Sequence, residues 1–198
     1  MIPENLLINY NAKLKPFSKG AILFAEDDDA RYYWQVQQGE VKMNNFNDEG
    51  KEFIQGIFSS GESFGEPPLF IDKPYPASAE ALTDVVVFQL PKAAFFELLR
   101  QHPETAIEMS TRLARRLYYK SVMASEISSQ DPEHRLLKLI DYLKTEVEGL
   151  EAKDRYLVKL TRQQLADLTG LRVETVIRSI KSLEKKGLLV IENRKIYR

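Results

Sequence analysis

"LTRQQLADLTGLRVETVIRSIKSLEKKGLLVIENRKIYR" (residues 160–198) holds two short helices and the turn between them. Thr161 stands three residues before Gln164, a capping box that sets the start of the first helix. Leu165 and Leu168 face inward there, and Ala166 is small enough to let a second helix approach closely. Gly170 supplies a left-handed turn, and the second helix runs from about Arg172 to Lys186. Two short helices joined by a glycine turn make a helix-turn-helix. At about 100° per residue, Val176, Ile180 and Leu183 share one face of the second helix, and Glu174, Arg178, Lys181 and Lys185 share the opposite one. A carboxylate at the N-terminal end with three cations behind it suits base edges first and phosphates beyond. Glu174 could accept from a cytosine amino group, and Arg178 could donate to guanine or reach a phosphate. After Gly187, two short strands around Asn193 form a basic wing.

Charge along the chain agrees with that placement. Residues 153–198 carry 12 Lys/Arg against 5 Asp/Glu, whereas residues 1–152 carry 16 against 24. The net charge of −1 therefore conceals a basic C-terminal segment on an acidic body, the electrostatic outline of a nucleic-acid-binding domain. The 43% apolar and 29% charged content is that of a soluble globular protein. Apolar runs reach about five residues, far short of the roughly 20 needed to span a bilayer, and no secretory signal opens the chain. No membrane partner and a cytoplasmic location are expected. The absence of cysteine excludes disulfides, thiolate metal sites and cysteine-held iron–sulfur clusters. His102 and His134 read as surface or capping residues, and the "EDDDA" run at 26–30 reads as a solvated turn, so no metal and no cofactor is expected. No phosphate loop, nucleophile elbow or paired histidine–carboxylate motif points to an enzyme.

From Gly20 to about Leu90 the chain is a series of β-branched and aromatic runs broken by Gly, Asn and Asp, with "NDEGK" (47–51) as a hairpin turn. Short strands without intervening helices imply an antiparallel barrel or jelly roll. At Pro91 the period becomes helical, with a break near Pro103. Leu113, Leu117, Ala124 and Ile127 then form a narrow apolar seam on a helix of about 25 residues, suited to packing on its own barrel or to self-association. Asp131 is a good N-cap, Pro132 takes the first helical position and Glu133 adds negative charge to the first turn, marking a domain boundary and hinge. The fold class is therefore α+β. A jelly roll spans 1–103, a long helix 104–130 and a winged helix-turn-helix 131–198.

Taken in order, the jelly-roll pattern, "LARRL" on the long helix, the Asp131 hinge and the 160–189 block resemble the Crp/Fnr family of bacterial transcription regulators over nearly the whole chain. The resemblance implies a homodimer on a near-palindromic double-stranded DNA site, acting with RNA polymerase, with 1–103 as its sensor and 104–130 as its dimerisation helix. By position it implies that Thr161, Arg162 and Gln163 approach phosphates, while Arg172, Val173, Glu174 and Arg178 face the groove; Thr175 and Lys181 complete the expected DNA-binding set.

Gly65, Glu66, Pro76, Ala77, Ser78, Lys120 and Ser121 would line the family's effector pocket. In cyclic-nucleotide-binding members a Gly-Glu pair holds the ribose and an Arg followed by Ser/Thr holds the phosphate. Gly65 and Glu66 match the first half. Pro76 and Ala77 stand where the arginine and hydroxyl residue belong, removing the charge-assisted contacts. The expectation is a sensor domain that does not bind cyclic AMP and whose effector is unknown. The alternatives are a cyclic-nucleotide-responsive regulator and a signalling module whose basic domain meets protein.

Overall fold

The computed structural model describes residues 2–129 and 131–198, with side chains for 2–125 and 131–198. The chain divides into two compact units, Met1–Ala114 and Arg115–Arg198. The first contains a short helix α1 (Glu4–Asn9) and strands β1 (Lys13–Phe17), β2 (Ile22–Phe24), β3 (Tyr32–Gln38), β4 (Glu40–Phe46), β5 (Glu52–Ser59) and β6 (Ser63–Phe64). Helix α2 (Pro67–Ile71), strands β7 (Ser78–Ala81) and β8 (Val85–Pro91) and helix α3 (Lys92–Gln101) follow, leading into α4 (Pro103–Ser129).

Two four-stranded antiparallel sheets, β1-β8-β3-β6 and β2-β7-β4-β5, make the jelly roll. Alternation along β4 turns Val41 and Met43 into an aromatic-rich core with Phe24, Trp34, Phe64 and Tyr75. Lys42, one position out of phase, reaches across neighbouring strands to Glu52 at 2.6 Å and Glu80 at 3.1 Å. Burial alone would push its ammonium down. Hydrogen bonds to both carboxylates, with their charges, outweigh that and raise it above its ordinary value. The β4–β5 hairpin closes at the expected "NDEGK", where the Asn47 side chain accepts from the N–H groups of Glu49 and Lys51. Ile2 and Leu7 close a second core with Tyr33, Leu90, Phe95, Leu98 and Met109.

The second unit contains the rest of α4, then α5 (Pro132–Tyr142), a π-helical turn at Leu143–Val147, strand β9 (Leu157–Val158), helices α6 (Arg162–Thr169) and α7 (Val173–Lys185), and strands β10 (Val190–Glu192) and β11 (Lys195–Tyr197). Strand order β10-β11-β9 makes the wing sheet. Asp131 caps α5, accepting from the N–H groups of Glu133 at 2.9 Å and His134 at 3.2 Å. Two polar ties hold α5 to the helix-turn-helix: the Arg135 guanidinium donates to the Thr169 carbonyl at 3.1 Å, and Lys186 pairs with Glu133 at 2.6 Å. That pair holds the Glu133 carboxyl below its ordinary value, chiefly through the Lys186 hydrogen bond.

Three elements depart from the pattern of the sequence. Helix α1 was not expected in the N-terminal segment. Pro67 and Pro68 open α2 rather than a bare loop, because the first helical positions need no N–H donors. The helix expected to run on from Asp131 leaves α-geometry at Leu143.

Candidate nucleic-acid interface

Both capping interactions of α6 form: the Thr161 hydroxyl accepts from the Gln164 N–H at 3.1 Å, and the Thr161 N–H donates to Gln164 Oε1 at 2.9 Å. Gly170 ends the helix at φ 68°, the left-handed value that favours glycine. Behind the turn, Leu165, Ala166, Val176, Ile180 and Leu183 are buried in one core with Leu136 and Ile140. That packing leaves Glu174, Arg178, Lys181 and Lys185 exposed along the opposite side of α7.

The other expected interface residues divide by burial. Arg172 is exposed at the α7 N-cap and makes no side-chain cap. Val173 is half-buried and packs against the core, and Thr175 is half-buried with its hydroxyl 3.5 Å from the Arg178 guanidinium. Thr161 and Gln163 are exposed, the latter donating to the Asp167 carboxylate at 2.8 Å. Arg162 donates to the carbonyl of Arg194 at 3.1 Å, tying the start of α6 to the wing tip. The wing turns through two left-handed non-glycine residues, Asn193 at φ 49° and Arg194 at φ 65°. Arg194 and Lys195 are exposed there, two cations the residue-by-residue reading had left out.

Within the first unit, Gly65 has φ 71° and Glu66 is 1% exposed. A Cβ on Gly65 would stand 3.0 Å from the Phe24 ring and 3.2 Å from the Tyr75 ring. Those rings stack at 3.7 Å, 14° from parallel. The Tyr75 hydroxyl accepts from Trp34 Nε1 and donates to the Tyr32 carbonyl, both at 3.1 Å, which fixes the ring. Burial raises the Tyr75 hydroxyl above its ordinary value. Ala77 is fully buried in this aromatic core, whereas Pro76 is exposed and its carbonyl accepts from Asn45. The Ser78 hydroxyl accepts from the Glu26 N–H at 2.9 Å. Lys120 and Ser121 belong to the second unit; both are exposed, and Ser121 donates to the Leu117 carbonyl at 3.0 Å.

The α4 seam is redistributed. Leu113 packs against the first unit's core, Leu117 is 67% exposed and Ala124 is exposed, while the Ile127 side chain lies outside the described residues. Elsewhere on α4, Ile107 and Ala114 of the first unit are exposed, as are Leu117, Tyr118 and Ser121 of the second.

Residues 14–102 match the cyclic nucleotide-binding domain and residues 133–197 match the Crp-like helix-turn-helix domain. The chain belongs to the Crp/Fnr family of transcription regulators. It is 29% identical to the cAMP-activated global transcriptional regulator CRP of Haemophilus influenzae, over 87% of this chain and 77% of that protein. To the cAMP-activated regulator Vfr of Pseudomonas aeruginosa it is 26% identical, over 89% and 84%. The solved c-di-GMP-responsive regulator CLP of Xanthomonas campestris shares the fold at a TM-score of 0.74 and 23% identity, covering 96% of both chains. Crp/Fnr proteins are regulators rather than enzymes. Among the described residues, no helix is long and apolar enough to cross a membrane.

Proposed function

We propose that this chain is a cytoplasmic, homodimeric Crp/Fnr regulator that binds a near-palindromic DNA site and does not use cyclic AMP. The α7 face carries the DNA reading: Glu174, Arg178, Lys181 and Lys185 stand exposed opposite buried Val176, Ile180 and Leu183. Glu174 and Arg178 read base edges, and Thr161, Arg162, Gln163, Arg172 and Lys181 contact phosphates. Val173 and Thr175 serve by shaping the start of α7, since both are half-buried. In the second unit, Leu117 at 67% and Tyr118 at 74% exposure leave apolar surface on α4 that supports pairing with a second copy. Two recognition helices would then enter major grooves about 34 Å apart, with RNA polymerase as the downstream partner. Footprinting on genomic fragments tests this. A salt-sensitive site protected by the intact chain and lost in Arg178→Ala is expected, and a folded dimer with no specific site would refute it.

Two observations speak against cyclic AMP as the effector. Pro76 and Ala77 offer no cation to a cyclic phosphate, and the Phe24–Tyr75 stack presses directly on Gly65. The relatives named as cAMP-activated, with the retained Gly65–Glu66 pair, favour the opposite reading. Calorimetry with cyclic AMP decides between them. No heat and no change in DNA affinity are expected; micromolar binding would establish the cyclic-nucleotide-responsive alternative.

A further inference from the structure

The outer face of the wing sheet borders a cavity of about 540 Å³ that the DNA-reading face of α7 does not use. Lys144, Lys153, Arg155 and Arg198 line it together with Asp141, Asp154, Val190 and Tyr197. Most of the charged groups around it are already matched. Arg198 holds Asp141 through two hydrogen bonds, at 2.7 and 3.3 Å. Arg155 pairs with Glu192 and lies over the Tyr197 ring, 4.0 Å from its centre. Lys153 pairs with Glu151 at 2.9 Å, and the Asp154 carboxylate accepts from the Glu151 N–H at 2.7 Å.

Lys144 is the exception. It is 4% exposed, and Nζ donates to a single acceptor, the Ala152 carbonyl at 2.7 Å. Among the described residues no carboxylate lies within 4.0 Å of it. An ammonium carries three N–H donors, and the Ala152 carbonyl takes one of them. Burying a charge without a counter-charge is costly. Here the π-helical turn at Leu143–Val147 places it, an irregularity that in other proteins collects at functional sites. The surrounding wall combines two guanidinium groups with an aromatic ring and a valine. That lining suits a ligand with one anionic end and a small apolar body, and the volume is in the range of small-molecule sites.

We propose that Lys144 anchors a small oxyanion, a carboxylate or a phosphate, in this cavity. The site is independent of the DNA-binding assignment, since no residue of α6 or α7 lines it. The test is a heteronuclear NMR titration of the full chain at constant ionic strength. One arm uses inorganic phosphate, the other benzoate, which separates a phosphate site from a site for a carboxylate with an apolar body. Saturable shifts are expected in the amides of residues 144–155 and 190–198. Lys144→Met should weaken them by about tenfold or more, and Arg155→Ala should weaken the benzoate arm less. Shifts confined to α6 and α7, or titrations unchanged in Lys144→Met, would overturn the assignment. Should Lys144→Met fail to fold, the wild-type map alone decides: no saturation at residues 144–155 up to tens of millimolar of either anion removes the site.

Discussion

Two left-handed glycines separate the two units. Gly65 and Gly170 have nearly the same backbone, at φ 71° and 68°. A Cβ on Gly65 would strike the Phe24 and Tyr75 rings, whereas one on Gly170 meets nothing within 4 Å. The first turn is packed inside an aromatic core, and the second lies at the surface with open space where a Cβ would stand. The same contrast holds for the polar residues around them. In the jelly roll, Glu66 is buried and Tyr75 spends both hydrogen-bonding functions on its own domain. In the helix-turn-helix, packing consumes only the apolar side of α7 and leaves Glu174, Arg178, Lys181 and Lys185 exposed for a partner. Polar groups kept outward stay available to a partner, whereas those spent inside a core do not.

The largest expected effect is Tyr75→Ala, which removes a stacked, doubly hydrogen-bonded ring and should destabilise the first unit by about 3–5 kcal/mol in denaturant unfolding. A loss under about 1 kcal/mol would mean that the aromatic core is not what holds the region closed. Gly65→Ala should cost about 1–2 kcal/mol for its backbone and about 1–3 more for displaced rings, while Gly170→Ala should cost the backbone part alone. Equal costs would erase the distinction between the two turns. Arg178→Ala should weaken specific DNA binding by about 1–3 kcal/mol and leave thermal stability unchanged, since the side chain is exposed. Thr161→Ala should lower the stability of the second unit by about 1 kcal/mol through loss of the α6 cap. The smallest effect concerns pH. The Glu133 carboxyl is held low by Lys186, so their tie contributes above the ordinary carboxylate pKa and is lost as pH falls through the lowered value. Glu133→Gln should flatten that acid limb of a thermal-stability profile.

The helix-turn-helix was legible in the sequence because its determinants are local. A capping box, a glycine stop and a two-faced helix each lie within a few residues, and all form as expected. The jelly roll was legible as a class, from short strands and turn residues, and its hairpin at 47–51 was legible in place. Its interior was not. Phe24, Trp34, Phe64 and Tyr75 come from four separate segments, and no spacing rule brings them over Gly65. Lys144 was equally hidden, since one lysine within "DYLKTEV" signals nothing until the π-helical turn buries it. On α4 the helix was legible, but spacing alone does not tell Leu113, which packs in the first unit's core, from exposed Leu117.

By itself, then, the sequence determined what depends on neighbours along the chain: where α5, α6 and α7 begin and which face of α7 is charged. Tertiary structure alone decided which cations remain unmatched and which rings fill the barrel. Burial and counter-charge are properties of residues far apart in sequence, and they acquire values only when the strands close.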